Sequence, residues 1–134
     1  MLGKIDKHFA VQETSLRLRT FRQELLGTNL ANGDTPGYKA VDFSFSAALQ
    51  NALDGGGNQM SLARSNARHL EPLHGNGLGA EVLYRNEIQP SIDGNTVDPD
   101  FEMAQFSDNA LRYQATLTFM NSKIRGLMTA LTSK

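Results

Sequence analysis

Asn29-Leu-Ala-Asn32-Gly33-Asp-Thr35-Pro36-Gly37-Tyr38-Lys39 stands where an uninterrupted helical pattern stops, and its chemistry decides how the chain leaves that helix. Gly33 is placed to take the left-handed conformation that closes a helix C-terminus. Pro36 restricts Thr35 to extended geometry and prevents the helix from resuming. Pro36-Gly37 reads as a turn in which the glycine adopts positive φ. Asn29 and Asn32 lie one turn apart, so their amides can satisfy the last helical carbonyls or the loop that follows.

Working back from this cassette, residues 2–32 contain no proline and, after the first turn, a single glycine, Gly27. At roughly 100° per residue this helix carries two apolar faces. Leu2, Ile5, Phe9 and Leu16 share one; Val11, Leu18, Phe21 and Leu25 share another on the opposite side. Asp6, Glu13 and Glu24 fall between them. A surface helix of an isolated globule needs one apolar stripe, so two stripes predict neighbours on two sides. Arg17, Arg19 and Arg22 read as a solvated face or as ion pairs such as Glu13 with Arg17.

At the other end of the chain, Met103, Phe106, Ala110, Tyr113, Leu117, Met120, Ile124, Leu127 and Leu131 recur in 3-4 spacing, the pattern of a coiled-coil seam. Asp98-Pro99 opens this helix with an aspartate N-cap and a proline in the first helical position. Acidic residues early in the segment (Asp100, Glu102, Asp108) and basic ones late (Lys123, Arg125, Lys134) complement the helix dipole. At ~1.5 Å per residue each terminal helix extends about 45–50 Å, long for a chain of this size.

Between them, Phe43, Phe45, Leu49 and Leu53 predict a short helix docking its apolar side on the long ones. Gly55-Gly-Gly57-Asn58 reads as a flexible tip, and Asp93-Gly94 as a turn. Residues 81–88 have the composition of a strand and 60–63 could supply its partner in a small β-hairpin. The expected fold is therefore mainly α: long N- and C-terminal helices in an antiparallel coiled-coil-like pair, with a loop-rich middle. It divides into a first helix (1–32), a turn cassette and irregular middle (33–97) and a heptad helix (98–134), all one structural unit.

Composition narrows the function. The 134 residues carry a formal charge of −1, which supplies no basic field for a nucleic acid. With no cysteine, disulfides, thiolate metal sites and cysteine nucleophiles are excluded. The N-terminus is too charged for a signal-peptide hydrophobic region, and no run approaches membrane-spanning length, so no direct membrane insertion is expected. Unaided, this reads as cytoplasmic. His69 and His74 flank Pro72, which prevents a helical i, i+4 ligand pair, and no third strong ligand lies nearby. Gly75-Asn-Gly77-Leu-Gly79 lacks the spacing of a dinucleotide loop. No catalytic, cofactor-binding or metal-ligating residue is expected.

The cassette with its continuation Ala40-Val-Asp42-Phe-Ser-Phe45, and Asp93-Gly-Asn-Thr-Val-Asp98 leading into the heptad helix, resemble the rod and hook axial proteins of the bacterial flagellum. Thr35-Pro36-Gly37-Tyr38-Lys39 followed by Asp42 and Phe45 is most similar to the proximal rod members. Val41 stands where relatives often place a basic residue, and Ser44 where an acidic one is common. The resemblance implies a structural subunit, not an enzyme, whose terminal helices pack into a tubular drive shaft. That shaft spans the periplasm, transmits torque and surrounds the export channel. It further implies self-association, contact with the adaptor protein FliE and the rod proteins FlgC and FlgF, and uncleaved export by the flagellar type III apparatus. In that setting Tyr38 is a candidate packing anchor and Lys39 a candidate partner for a neighbouring carboxylate. Another axial component of the family, or a soluble helical adaptor, are the alternatives.

Overall fold

The computed structural model describes residues 2–54, 79–86 and 91–132. Their order is α1 (Leu2–Ala31), β1 (Val41–Asp42), α2 (Phe45–Leu53), β2 (Leu83–Tyr84) and α3 (Pro99–Thr132). The chain is mainly α, and its two terminal helices pack antiparallel. Asn109 of α3 bonds to Arg19 and Gln23 of α1, the Phe106 ring lies near Gly27, and Pro99 lies near Gly33.

The exit from α1 differs from the expected glycine cap. Positive φ occurs at Gly37, Gly79 and Gly94, not at Gly33. Instead the last turn tightens: the Asn32 N–H is shared between the Thr28 and Asn29 carbonyls, and the Gly33 N–H donates to Leu30 at 3.2 Å. Gly33 is small for a different reason, since a Cβ there would lie 3.3 Å from the Leu30 carbonyl oxygen. The reversal comes later. Tyr38 N donates to the Thr35 carbonyl at 3.3 Å across Pro36 and Gly37, with φ of 73° at Gly37, the arrangement of a type II turn.

α2 starts at Ser44, whose hydroxyl accepts the Ala47 N–H. Phe43, Phe45 and Leu49 dock as expected, whereas Leu53 stays 44% exposed. α3 starts as read from Asp98-Pro99: Asp98 Oδ1 accepts the N–H groups of Asp100 and Phe101 at 3.1 and 3.2 Å. β2 pairs antiparallel with β1, Val41 opposite Tyr84 and Asp42 opposite Leu83. The expected partner at 60–63, the glycine tip at 55–58 and the two histidines at 69 and 74 lie outside the described residues.

The core sits at one end of the helix pair. Leu18 and Leu25 of α1 meet Phe43, Ala48 and Ala80, with Phe21, Val41, Phe45, Leu49 and Val82 around them. The Phe21 and Phe43 rings stack at 5.5 Å. Leu26, absent from the apolar faces read in the sequence, is fully buried as well. Towards the N-terminus of α1 and the C-terminus of α3, only these two helices remain among the described residues, and burial falls away.

Candidate assembly site and the turn cassette

Two asparagines organise the cassette. Asn29 is fully buried on α1 and uses its whole amide. Its Nδ2 donates to the Val41 carbonyl (2.8 Å) and to Glu102 Oε2 (3.2 Å). Its Oδ1 accepts from the Val41 N–H (3.0 Å) and the Tyr38 hydroxyl (3.1 Å). It therefore binds Val41 through both backbone groups, as a neighbouring strand would. Asn95, from the loop before α3, donates through Nδ2 to the carbonyls of Asn32, Gly33 and Thr35 at 3.0, 2.8 and 2.9 Å. The carbonyls just beyond α1 are thus held from a loop far away in the sequence, while Thr28, Asn29 and Leu30 within the helix are satisfied by the Asn32 and Gly33 N–H groups. Gly37 N donates to Asp93 O, Thr96 N to Tyr38 O, and Ala40 N to Thr96 Oγ1, which completes the seam between the two loops. Asn32 turns back on its own helix, donating to Thr28 O and accepting from the Thr35 hydroxyl. Lys39 Nζ reaches the Gly94 carbonyl at 3.3 Å.

Below this corner lies a charge-alternating network spanning four elements. Arg22 of α1 grips Asp42 of β1 with Nε and Nη2 at 3.0 and 2.8 Å, and its Nη2 also reaches Gln105 of α3. Arg85, just after β2, donates to Asp42 Oδ2 at 2.6 Å and to Glu102 Oε1, and lies 4.9 Å over the Phe101 ring. Burial alone pushes the Asp42 carboxyl upward. The Arg22 fork and charge, the Phe43 N–H and Arg85 outweigh it and hold Asp42 below the usual range. Glu102 goes the other way: burial raises it despite the Asn29 hydrogen bond and the Arg85 charge. Burial and the Glu102 charge raise the Tyr38 phenol. Two guanidinium groups thus face two carboxylates, and each member touches at least two elements.

The arrangement binds chain to chain; it offers no nucleophile with a base. Among the described residues no group of three or more His, Asp or Glu stands where it could hold a metal, and no helix is long and apolar enough to cross a membrane. Of the basic cluster, Arg17 pairs with Glu13 in the open, Arg19 stacks 4.3 Å over the Phe45 ring, and Arg22 enters the network. Arg22, Arg85, Asn95 and Glu102 were not legible as site residues. Their partners lie tens of positions away, and only the Asp93-Gly-Asn-Thr-Val-Asp98 string carried a local hint.

The helix-packing residues divide into two groups. Leu18 and Leu25 are buried in the core, and Phe9, Leu16, Phe21, Phe106, Tyr113, Leu117 and Met120 are half-buried. Ile5, Val11, Ile124, Leu127 and Leu131 are exposed, as are Leu111, Phe119 and Met128; the Leu2 side chain lies outside the described set. Met103 and Ala110 also face away. At these two positions the buried side of α3 is carried by the preceding residues, Glu102 and Asn109, while Phe106, Tyr113, Leu117 and Met120 keep to the apolar series.

Compared with models of known protein families, the sequence matches none. Individual proteins are much closer. The chain is 42% identical over 134 aligned positions to the flagellar basal body rod protein FlgB of Proteus mirabilis (strain HI4320), covering 98% of each. It is 41% identical to the protein of that name from Escherichia coli (strain K12), covering 99% of each. Its identity to the one from Aeromonas hydrophila is 45%, over 98% of this chain and 97% of that one.

Proposed function

The chain belongs to the family of the flagellar basal body rod protein FlgB, and from that premise we propose that its exposed helical surface is what builds the rod. It is a structural subunit of the flagellar basal body and assembles there with other basal-body components. The observation that carries the finer reading is the apolar far half of the α1–α3 pair. Ile5 and Val11 on one helix and Ile124, Leu127, Met128 and Leu131 on the other remain open to solvent. Each such side chain gains about 1.5–3 kcal/mol when a neighbour covers it. Head-to-tail contacts of this kind do not close on themselves, and they propagate as a tube.

In this reading the terminal helices line a tubular shaft around the export channel and carry torque along their length. The corner at Asn29, Tyr38 and Asn95 holds the chain rigidly where it leaves the helix pair. FliE, FlgC and FlgF are its neighbours in the rod, and the subunit travels through the type III export apparatus with no cleaved signal. The role requires no catalysis.

Leu131→Asp tests the proposal. Leu131 is 84% exposed, so the variant should fold with stability within about 0.5 kcal/mol of the parent. A bacterium deleted for its own FlgB, swimming when given the parent chain, should not swim with the variant. Wild-type swimming by the well-folded variant would refute the assignment of this surface. Substitution at Leu18 cannot serve the same purpose, because that residue is wholly buried and its loss would unfold the core.

A further inference from the structure

The only fully buried side chains of α3 are both polar, Glu102 and Asn109, and they lie seven residues apart. Both face α1. Glu102 accepts from Asn29, while Asn109 donates to the Arg19 carbonyl at 2.9 Å and to Gln23 Oε1 at 2.6 Å. We propose that Glu102 and Asn109 are the register-specifying residues of the helix pair, selecting one antiparallel alignment of α3 on α1 against heptad-slipped ones.

The apolar residues cannot make that selection. Phe106, Tyr113, Leu117, Met120, Ile124 and Leu127 recur in a 3-4 pattern, so sliding α3 by one heptad replaces each with a similar residue. The polar pair does discriminate. A slip that brings Glu102 to the place of Asn109 sets a carboxylate against the Arg19 carbonyl, acceptor against acceptor, and leaves that carbonyl without its side-chain donor. The opposite slip brings an uncharged amide to the place of Glu102 and strands Arg85, whose guanidinium Glu102 shares with Asp42. Asn109 is also an inefficient choice for stability alone. Its Oδ1 is buried with no hydrogen-bond partner among the described residues, where a leucine would leave no orphaned acceptor. A polar group kept in such a seam trades stability for a single pairing. The inference concerns alignment within one chain and does not depend on the proposed rod surface.

The chain has no cysteine, so Lys7→Cys and Gln114→Cys on the exposed sides of α1 and α3 give two unique spin-label sites. The sites are offset along the helix axis, so a heptad slip changes their separation by up to ~10 Å. Pulsed electron–electron resonance on the labelled full chain should give one narrow distance. In Asn109→Leu the expected result is a second distance with melting at or above the parent temperature. Gln23→Leu with Asn109→Leu removes the partner as well, so no side-chain acceptor is stranded if the single variant folds poorly. A single unchanged distance in these variants overturns the proposal. So does a double variant that melts well below the parent, since the pair would then serve stability and not selection. A parent chain with several distances overturns it too.

Discussion

Asn95→Ala is the sharpest perturbation of the corner, because one amide holds three carbonyls. Nδ2 carries only two hydrogens, so at least one is shared among Asn32, Gly33 and Thr35. The loss is smaller than three bonds. Asn32 O still receives the Thr35 N–H at 3.1 Å, and Thr35 O still receives the Tyr38 N–H at 3.3 Å. Alanine therefore strands the Gly33 carbonyl and the Val97 N–H, which donates to Asn95 Oδ1 at 2.7 Å. An unsatisfied buried group costs about 1–3 kcal/mol, and both groups here lie near the surface. The lower end of that range applies, about 1–1.5 kcal/mol each, for a total of about 2–3 kcal/mol. For a chain of this size that lowers Tm by roughly 8–12 °C. Asn95→Asp should be worse at neutral pH: it keeps the acceptor for Val97 but sets a negative charge against carbonyls at the negative end of the α1 dipole. Urea titration followed by circular dichroism measures both variants. Stabilities within about 0.5 kcal/mol of the parent, or an Asn95→Asp variant more stable than Asn95→Ala at neutral pH, would refute the capping argument.

Gly37→Ala meets no atom within 4 Å, so its effect isolates the backbone: forcing a Cβ into φ of 73° should cost about 1–2 kcal/mol, read by the same titration. Asp42 titrates lower in the folded chain than in the unfolded one, so the unfolded chain binds more protons between those two values. Its stabilising contribution is complete above the ordinary aspartate value and lost as pH falls through the folded one. Asp42→Asn should be about 3 kcal/mol less stable than the parent at pH 7, because Arg22 and Arg85 lose a shared carboxylate, and the gap should narrow below about pH 4. Glu102 acts oppositely, its raised value favouring the folded chain as pH falls towards the ordinary glutamate range; the Asp42 charge is one cause of that elevation, so Asp42→Asn lessens it and the Glu102 contribution enters the pH dependence of the gap. A gap independent of pH would refute the Asp42 assignment.

The corner and the helix faces do different work. Asn29, Asn95 and the Arg22–Asp42–Arg85–Glu102 network hold two loops and a two-residue sheet against the helices with directional bonds. Strands this short have little stability of their own, and the side chains around them supply what the ladder lacks. At the far end of the pair Ile5, Ile124, Leu127, Met128 and Leu131 stay exposed.

Local chemistry was sufficient to read the two long helices, the Asp98-Pro99 start, the Pro36-Gly37 reversal and the short α2, because each depends on residues within one or two turns. The chain by itself also determined that α1 has more apolar surface than one neighbour can cover. Asn32 satisfies a last carbonyl of α1, as its place in the chain suggested, but nothing local showed that the carbonyls just beyond the helix would be held by Asn95 and not by a left-handed Gly33. Nor did the chain by itself determine that β2 would pair with β1, some forty residues earlier in the chain. Phe106, Tyr113, Leu117 and Met120 are half-buried as their spacing suggested, but at Met103 and Ala110 the buried position is the preceding residue, for a related reason. Hydrophobic periodicity registers only apolar residues, and the two buried positions there are a glutamate and an asparagine. A polar residue can be buried only where distant groups complete its hydrogen bonds, so those positions exist only once the tertiary structure has brought Asn29, Arg85, Arg19 and Gln23 around them.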